Sequence, residues 1–157
     1  MPDVRATPHL TLGPFTVQPS GGLAPREAAG PPPALRFAWR GRPCRAELAG
    51  GELRLAAVAA RIPSTAEPGA DRRGALAAVA DLPPALPPGW RLRLLPDHRV
   101  ALEAAAPFGR APPTAVGLVA AMVRFALALD PYLDRLEAAG AGAPAAAVAS
   151  APGTAKT

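Results

Sequence analysis

Thr114–Ala139, TAVGLVAAMVRFALALDPYLDRLEAA, is the stretch around which the rest of the chain must be arranged. Leu118, Val119, Met122, Phe125, Ala126, Leu129, Leu133 and Leu136 recur at the i, i+3, i+4, i+7 spacing of one helix face. They predict a long helix with a single core stripe. Each large apolar side chain removed from water stabilises a fold by roughly 1.5 to 3 kcal/mol, so this stripe is the largest single stabilising element in the chain. A second row, Val116, Ala120, Val123 and Leu127, lies on another side of the same helix beside the small residues Gly117, Ala121 and Ala128. One sheet cannot cover both sides. Either the chain encloses the helix from two directions, or the second row is an interface for a partner or for a second copy of the chain.

The ends of this helix are marked chemically. Pro112 and Pro113 stop the preceding segment, Thr114 is a suitable N-cap, and Gly140 is placed to end the helix. Pro131 falls inside the pattern, where it lacks a donor and crowds the carbonyl of Leu127, so a kink is expected, with Asp130 capping a restarted turn. From Ala115 to Leu129 the only polar side chain is Arg124. That run is shorter than the ~20 residues of a membrane span, and it contains a charge.

Working upstream, alternation replaces the helical period. In Leu35-Arg36-Phe37-Ala38-Trp39-Arg40 apolar residues alternate with arginine or alanine, and Gly41-Arg42 reads as a two-residue turn. That turn predicts Trp39 opposite Cys44, Phe37 opposite Ala46, Leu35 opposite Leu48 and Arg36 opposite Glu47. Gly50-Gly51 predicts Leu48 opposite Leu53, Ala46 opposite Leu55, Cys44 opposite Ala57 and Glu47 opposite Arg54. The two turns agree on one dry face and leave an Arg36, Glu47, Arg54 ladder on the wet one. Beyond Ile62-Pro63 the chain crosses over. Ser64 and Glu67 have capping-box spacing broken by Pro68-Gly69, and Asp71 is the better cap for a short helix through Leu76 and Val79 to Leu82. In Trp90–Glu103 a two-residue turn at Pro96-Asp97 would mix the faces. A three-residue loop, Pro96-Asp97-His98, pairs Leu94 with Val100, Leu92 with Leu102, Trp90 with Ala104 and Arg91 with Glu103, and places His98 near the left-handed region. The fold class is therefore α+β: an antiparallel sheet of about five strands in the order βββ-α-ββ-α, with a short helix and a long C-terminal helix on its apolar face.

The single domain spans 34–139. Residues 1–33, with eight prolines and four glycines, predict a disordered N-terminal tail, although Leu10, Leu12, Phe15 and Val17 alternate around Gly13-Pro14 as a short edge segment would. Residues 140–157 predict a second tail rich in Ala, Gly and Pro. Sixteen arginines against Lys156 alone reflect compositional bias, which discounts the high isoelectric point; the formal charge is only +5. Cys44 is a lone cysteine, so neither a disulfide framework nor a metal-ligand pair is expected, and the N-terminus has no secretory pattern, which makes the cytoplasm the expected compartment.

The residues of catalysis do not assemble. Ser64, His98 and a carboxylate have no spacing that would join them, His9 and His98 lie far apart, and Gly50-Gly51 lacks the Lys and Ser/Thr of a phosphate loop. No catalytic, cofactor or metal residues are therefore assigned, and a non-enzymatic protein is expected. The rival class is a basic sheet face, Arg36, Arg45, Arg54, Arg91 and Arg93, binding RNA or another acidic partner. Phe37, Trp39 and Trp90 have the opposite parity and leave no ring outside to stack on a base, so a solvated face is preferred over RNA.

The element order, the segment Asp97-His98-Arg99-Val100-Ala101-Leu102-Glu103 and the helix segment Phe125-Ala126-Leu127-Ala128-Leu129-Asp130-Pro131-Tyr132-Leu133 together resemble the type III secretion chaperones of the CesT and YbjN-like superfamily over Leu35–Ala139. The resemblance implies a small, cytoplasmic, non-enzymatic homodimer that holds a client polypeptide in extended form on apolar patches. It also implies that Val116, Ala120, Val123 and Leu127 form the dimer seam. No individual functional residue transfers with it.

Overall fold

The computed structural model describes residues 10–27, 29–108 and 113–144. A five-stranded antiparallel sheet forms from β4 (Ala34–Trp39), β5 (Arg42–Ala49), β6 (Glu52–Arg61), β7 (Trp90–Leu94) and β8 (Arg99–Pro107), in the spatial order β4-β5-β6-β8-β7. Between β6 and β7 the chain forms α1 (Arg72–Ala80), and it ends in α2 (Ala115–Ala138). Leu53, Leu55 and Ala57 of β6, Cys44 and Ala46 of β5, and Val100 and Leu102 of β8 face the same way. They form one core with Leu118, Phe125, Leu129, Leu133 and Leu136 of α2 and Ala75 and Val79 of α1. The expected α+β class and helix placement are what the chain adopts.

Two of the three predicted hairpin registers match residue for residue. β5 pairs with β6 through Leu48↔Leu53, Ala46↔Leu55 and Cys44↔Ala57, and β7 pairs with β8 through Leu94↔Val100, Leu92↔Leu102 and Trp90↔Ala104. His98 has φ 63, as the three-residue loop requires. The first hairpin differs. Its turn is Arg40-Gly41, not Gly41-Arg42, and the register slides by two: Phe37↔Cys44, Leu35↔Ala46 and Arg36↔Arg45. Because side chains alternate with period two, the slide leaves every residue on its expected face. The Arg36, Glu47, Arg54 ladder is lost, however, since Ala34 now stands opposite Glu47.

The N-terminal segment also departs from expectation. Within the region assigned to a disordered tail, Leu10–Leu12 (β1), Phe15–Val17 (β2) and Leu23–Pro25 (β3) form a separate three-stranded antiparallel sheet. The β1–β2 hairpin turns at Gly13-Pro14, where the alternation lay, and Phe15 enters the core at 1% exposure. This sheet is stitched to the start of α2: the Leu23 amide donates to Pro113 O at 3.0 Å and the Ala115 amide to Gly21 O at 2.9 Å. At the other end, Gly142 bridges Arg61 and Ala141 is buried, so the first residues after α2 continue the fold. Residues 1–9, 28 and 145–157 of the two expected tails lie outside the described residues.

Three smaller features follow from local chemistry. Asp71 caps α1 by accepting from the Gly74 amide at 2.8 Å. Only half of the Ser64–Glu67 capping box forms: the Ser64 amide donates to Glu67 Oε1 at 2.9 Å, while the Ser64 hydroxyl accepts from the Ala66 amide at 3.2 Å, and these bonds close a turn and not a helix. β6 carries a bulge between Val58 and Ala60, so Ala59 and Ala60 are both buried although they are consecutive.

Candidate partner-binding surface

α2 is fixed at both ends by its own sequence. The Thr114 hydroxyl accepts from the Gly117 amide at 3.0 Å. At the C-terminus the Ala141 amide donates to Leu136 O at 2.9 Å and the Gly140 amide to Glu137 O at 3.0 Å, the paired bonds of a Schellman motif. Between these caps α2 runs as one helix through Pro131. The expected restart at Asp130 does not occur, because the Asp130 carboxylate is occupied elsewhere. Its Oδ1 accepts from Trp39 Nε1 at 2.8 Å and from Arg40 at 3.3 Å. Leu129, Leu133 and Leu136 are fully buried on either side of the proline, and their packing offsets the lost backbone bond.

The grip of α2 on the first hairpin explains that hairpin's register. Arg40 lies at φ 49 in its turn and reaches Asp130, Asp134 at 2.8 Å and Glu137 at 3.2 Å. These carboxylates hold its guanidinium pKa above the ordinary value, Asp134 contributing most and Asp130 next. The Trp39 hydrogen bond, and then Arg40, hold the Asp130 carboxyl below the usual carboxylate range. Arg42 is buried at 4% exposure and fully used: it pairs with Glu137, and donates to Ala59 O at 3.2 Å and Arg40 O at 2.6 Å. Next to it Cys44 points inward, and burial pushes its thiol up to about 11.

The opposite side of α2 is uncovered. Val116, Val123 and Leu127 are 80%, 51% and 55% exposed, with the half-buried Ala120 among them. Val119 was expected in the core stripe but is 43% exposed and joins this row. The reason is the narrowness of the cover over the first half of the helix, where Leu118 is the only buried residue before Phe125. The N-terminal sheet extends the same surface. Leu10, Leu12 and Val17 with Val116, Val119 and Ala120 line an open apolar groove of about 490 Å³, and Leu10 is 70% exposed. Sequence reasoning missed Leu10 and Val17 as part of this surface because their hairpin was assigned to a tail. At 24 residues α2 is longer than the run that argued against a membrane span, and by length and composition alone it is apolar enough to cross one; six of its residues are instead buried in the core.

The five arginines of the rival site are exposed on the outward face of the sheet, interleaved with carboxylates. Arg91 and Arg93 both pair with Glu103, at 2.6 and 3.0 Å, Arg54 pairs with Glu52 at 3.0 Å, and Arg45 with Glu47. Trp90 packs inward on Phe125 with ring centroids 4.9 Å apart. Ser64 and His98 are engaged in separate turns, and among the described residues no group of three or more His, Cys, Asp or Glu is arranged to hold a metal ion.

No protein-family model matches the chain, and no curated protein does. Among solved structures it is similar to a chain of the heterodimeric ExoU–SpcU complex from the type III secretion system of Pseudomonas aeruginosa. The TM-score is 0.47 and the identity 17%, over 74% of this chain and 88% of that one. A similarity of that degree carries no inference about function.

Proposed function

We propose that this chain is a non-enzymatic, cytoplasmic protein-interaction module that self-associates as a homodimer through the uncovered side of α2. A role in holding a client polypeptide, as the resemblance to secretion chaperones implies, is part of the same reading. The observation that carries it is the row Val116, Val119, Val123 and Leu127, exposed over three turns of a helix that is capped at both ends and buries its opposite side. Large side chains alternate there with Ala120 and Ala128, so a second copy of the same row can interdigitate with the first. The groove beside Leu10 enlarges the patch toward the several hundred Å² at which exposed apolar surface marks an interface.

The test compares neighbouring leucines. Leu127→Asp leaves a folded monomer, whereas Leu129→Asp, which buries a charge at a fully enclosed position, unfolds the domain by about 4 kcal/mol or more. Sedimentation and circular dichroism read the two outcomes. A wild-type chain that sediments as a monomer at micromolar concentration defeats the homodimer.

A further inference from the structure

The outward face of the five-stranded sheet carries a different and independent feature. The register of the first hairpin sets Arg36 directly across from Arg45. Like charges facing each other on adjacent strands oppose pairing, and a carboxylate at either position would remove the conflict. Two cavities, of about 530 and 570 Å³, adjoin at Arg45, which lines both, and together make a trough across the sheet. Arg54, Arg91 and Arg93 line one part of it, and Arg36 and Arg26 the other.

The charge in this trough is layered. The Glu47 and Glu103 side chains are only 15% and 13% exposed, while those of Arg45, Arg54, Arg91 and Arg93 are 53 to 76% exposed above them. Six arginines line the trough against four glutamates, Glu27, Glu47, Glu52 and Glu103, so two positive charges are in excess. A guanidinium has five N–H donors in a fixed fork, and the ion pairs here use only some of them.

We propose that this trough binds an extended acidic segment of a partner polypeptide, anchored by its carboxylates between Arg36 and Arg45. The floor carboxylates favour a peptide over a nucleic acid. Glu47 and Glu103 can accept from peptide amides, donors that a sugar-phosphate backbone lacks, and Phe37, Trp39 and Trp90 all have inward parity, so no ring is left outside to stack on a base. Five strands at about 4.8 Å spacing make a path of roughly 20 Å, the length of about six extended residues.

The experiment measures fluorescence anisotropy of labelled poly-glutamate with the full chain across a salt series, together with melting temperature. Binding is expected at low salt and weakens steeply as salt rises. Arg36→Glu lowers the affinity by about tenfold or more, the scale of one charge-assisted pair, without lowering the melting temperature, because the conflict with Arg45 is relieved. Arg73→Glu, the same charge change on α1, leaves the affinity unchanged. The proposal is overturned by absence of poly-glutamate binding at low salt, by an equal loss in Arg73→Glu, or by tighter binding of oligouridylate than of poly-glutamate.

Discussion

The two hairpins that share β5 are built on different principles. At Gly50-Gly51 both turn residues are glycines at φ 59 and 77, so the turn is satisfied locally and dictates which residues pair. At Arg40-Gly41 a non-glycine residue takes the left-handed conformation, and its side chain ends on three carboxylates of α2. The Gly50-Gly51 turn is decided by the residues in it. The Arg40-Gly41 turn is decided by a helix some 90 residues further along the chain, and the slide of two residues is the outcome.

Substitutions can widen or erase that contrast. The largest effect in the first hairpin is expected for Arg42→Ala, which orphans the carbonyls of Ala59 and Arg40 and leaves Glu137 without its buried partner. A loss of about 2 to 3 kcal/mol in urea denaturation is expected, below the full cost of breaking a buried pair because Glu137 keeps contact with water. Next is the alkaline limb of stability. The folded pKa of Cys44 is raised from 9.0 to about 11, so its contribution is fully present below pH 9.0 and is lost as pH climbs through 11. The contribution amounts to about 2 to 3 kcal/mol, and Cys44→Ala flattens the decline of the urea midpoint over that window.

Asp130→Ala removes the acceptor of the Trp39 indole N–H, shifting that proton's NMR signal and lowering the urea midpoint. The wild-type carboxyl titrates below its ordinary 3.8, so its contribution is present above that value and lost as pH falls through the lower folded pKa; the variant is flatter there. In the second hairpin Gly51→Ala forces a side chain into φ 77 and costs about 1 kcal/mol. Arg40→Gly is expected to be the mildest of the set. Backbone strain is relieved as contacts to exposed carboxylates are lost, and a midpoint near that of wild type checks this.

What was legible follows the same division. Alternation within β5, β6, β7 and β8, with one self-sufficient turn in each hairpin, was enough to pair Leu48 with Leu53 and Leu92 with Leu102. The exposed side of α2 was visible in the spacing of Val116, Val123 and Leu127, because helical periodicity assigns faces without reference to the rest of the fold. Val119 was misplaced since it stands beside Leu118 on the margin of the stripe, and only the width of the cover decides on which side a marginal residue falls. The β1–β2 hairpin showed its alternation plainly, but strands of three residues cannot stand alone. They persist because Phe15 is buried and β3 is bonded to the residues flanking the N-cap of α2.

The sequence by itself determined the periods, the caps and the glycine turns: where α1 and α2 start, which residues share a face of the sheet, and which row of α2 stays apolar. Those depend on interactions within a few residues, or on a parity that any register shift of two preserves. The tertiary structure alone decided which partner each arginine meets, that residues 10–25 fold onto the body, and that Asp130 clamps Trp39 and Arg40 and does not restart a helix. Each of these is a contact between segments remote along the chain, and its free energy exists only once both sides are in place.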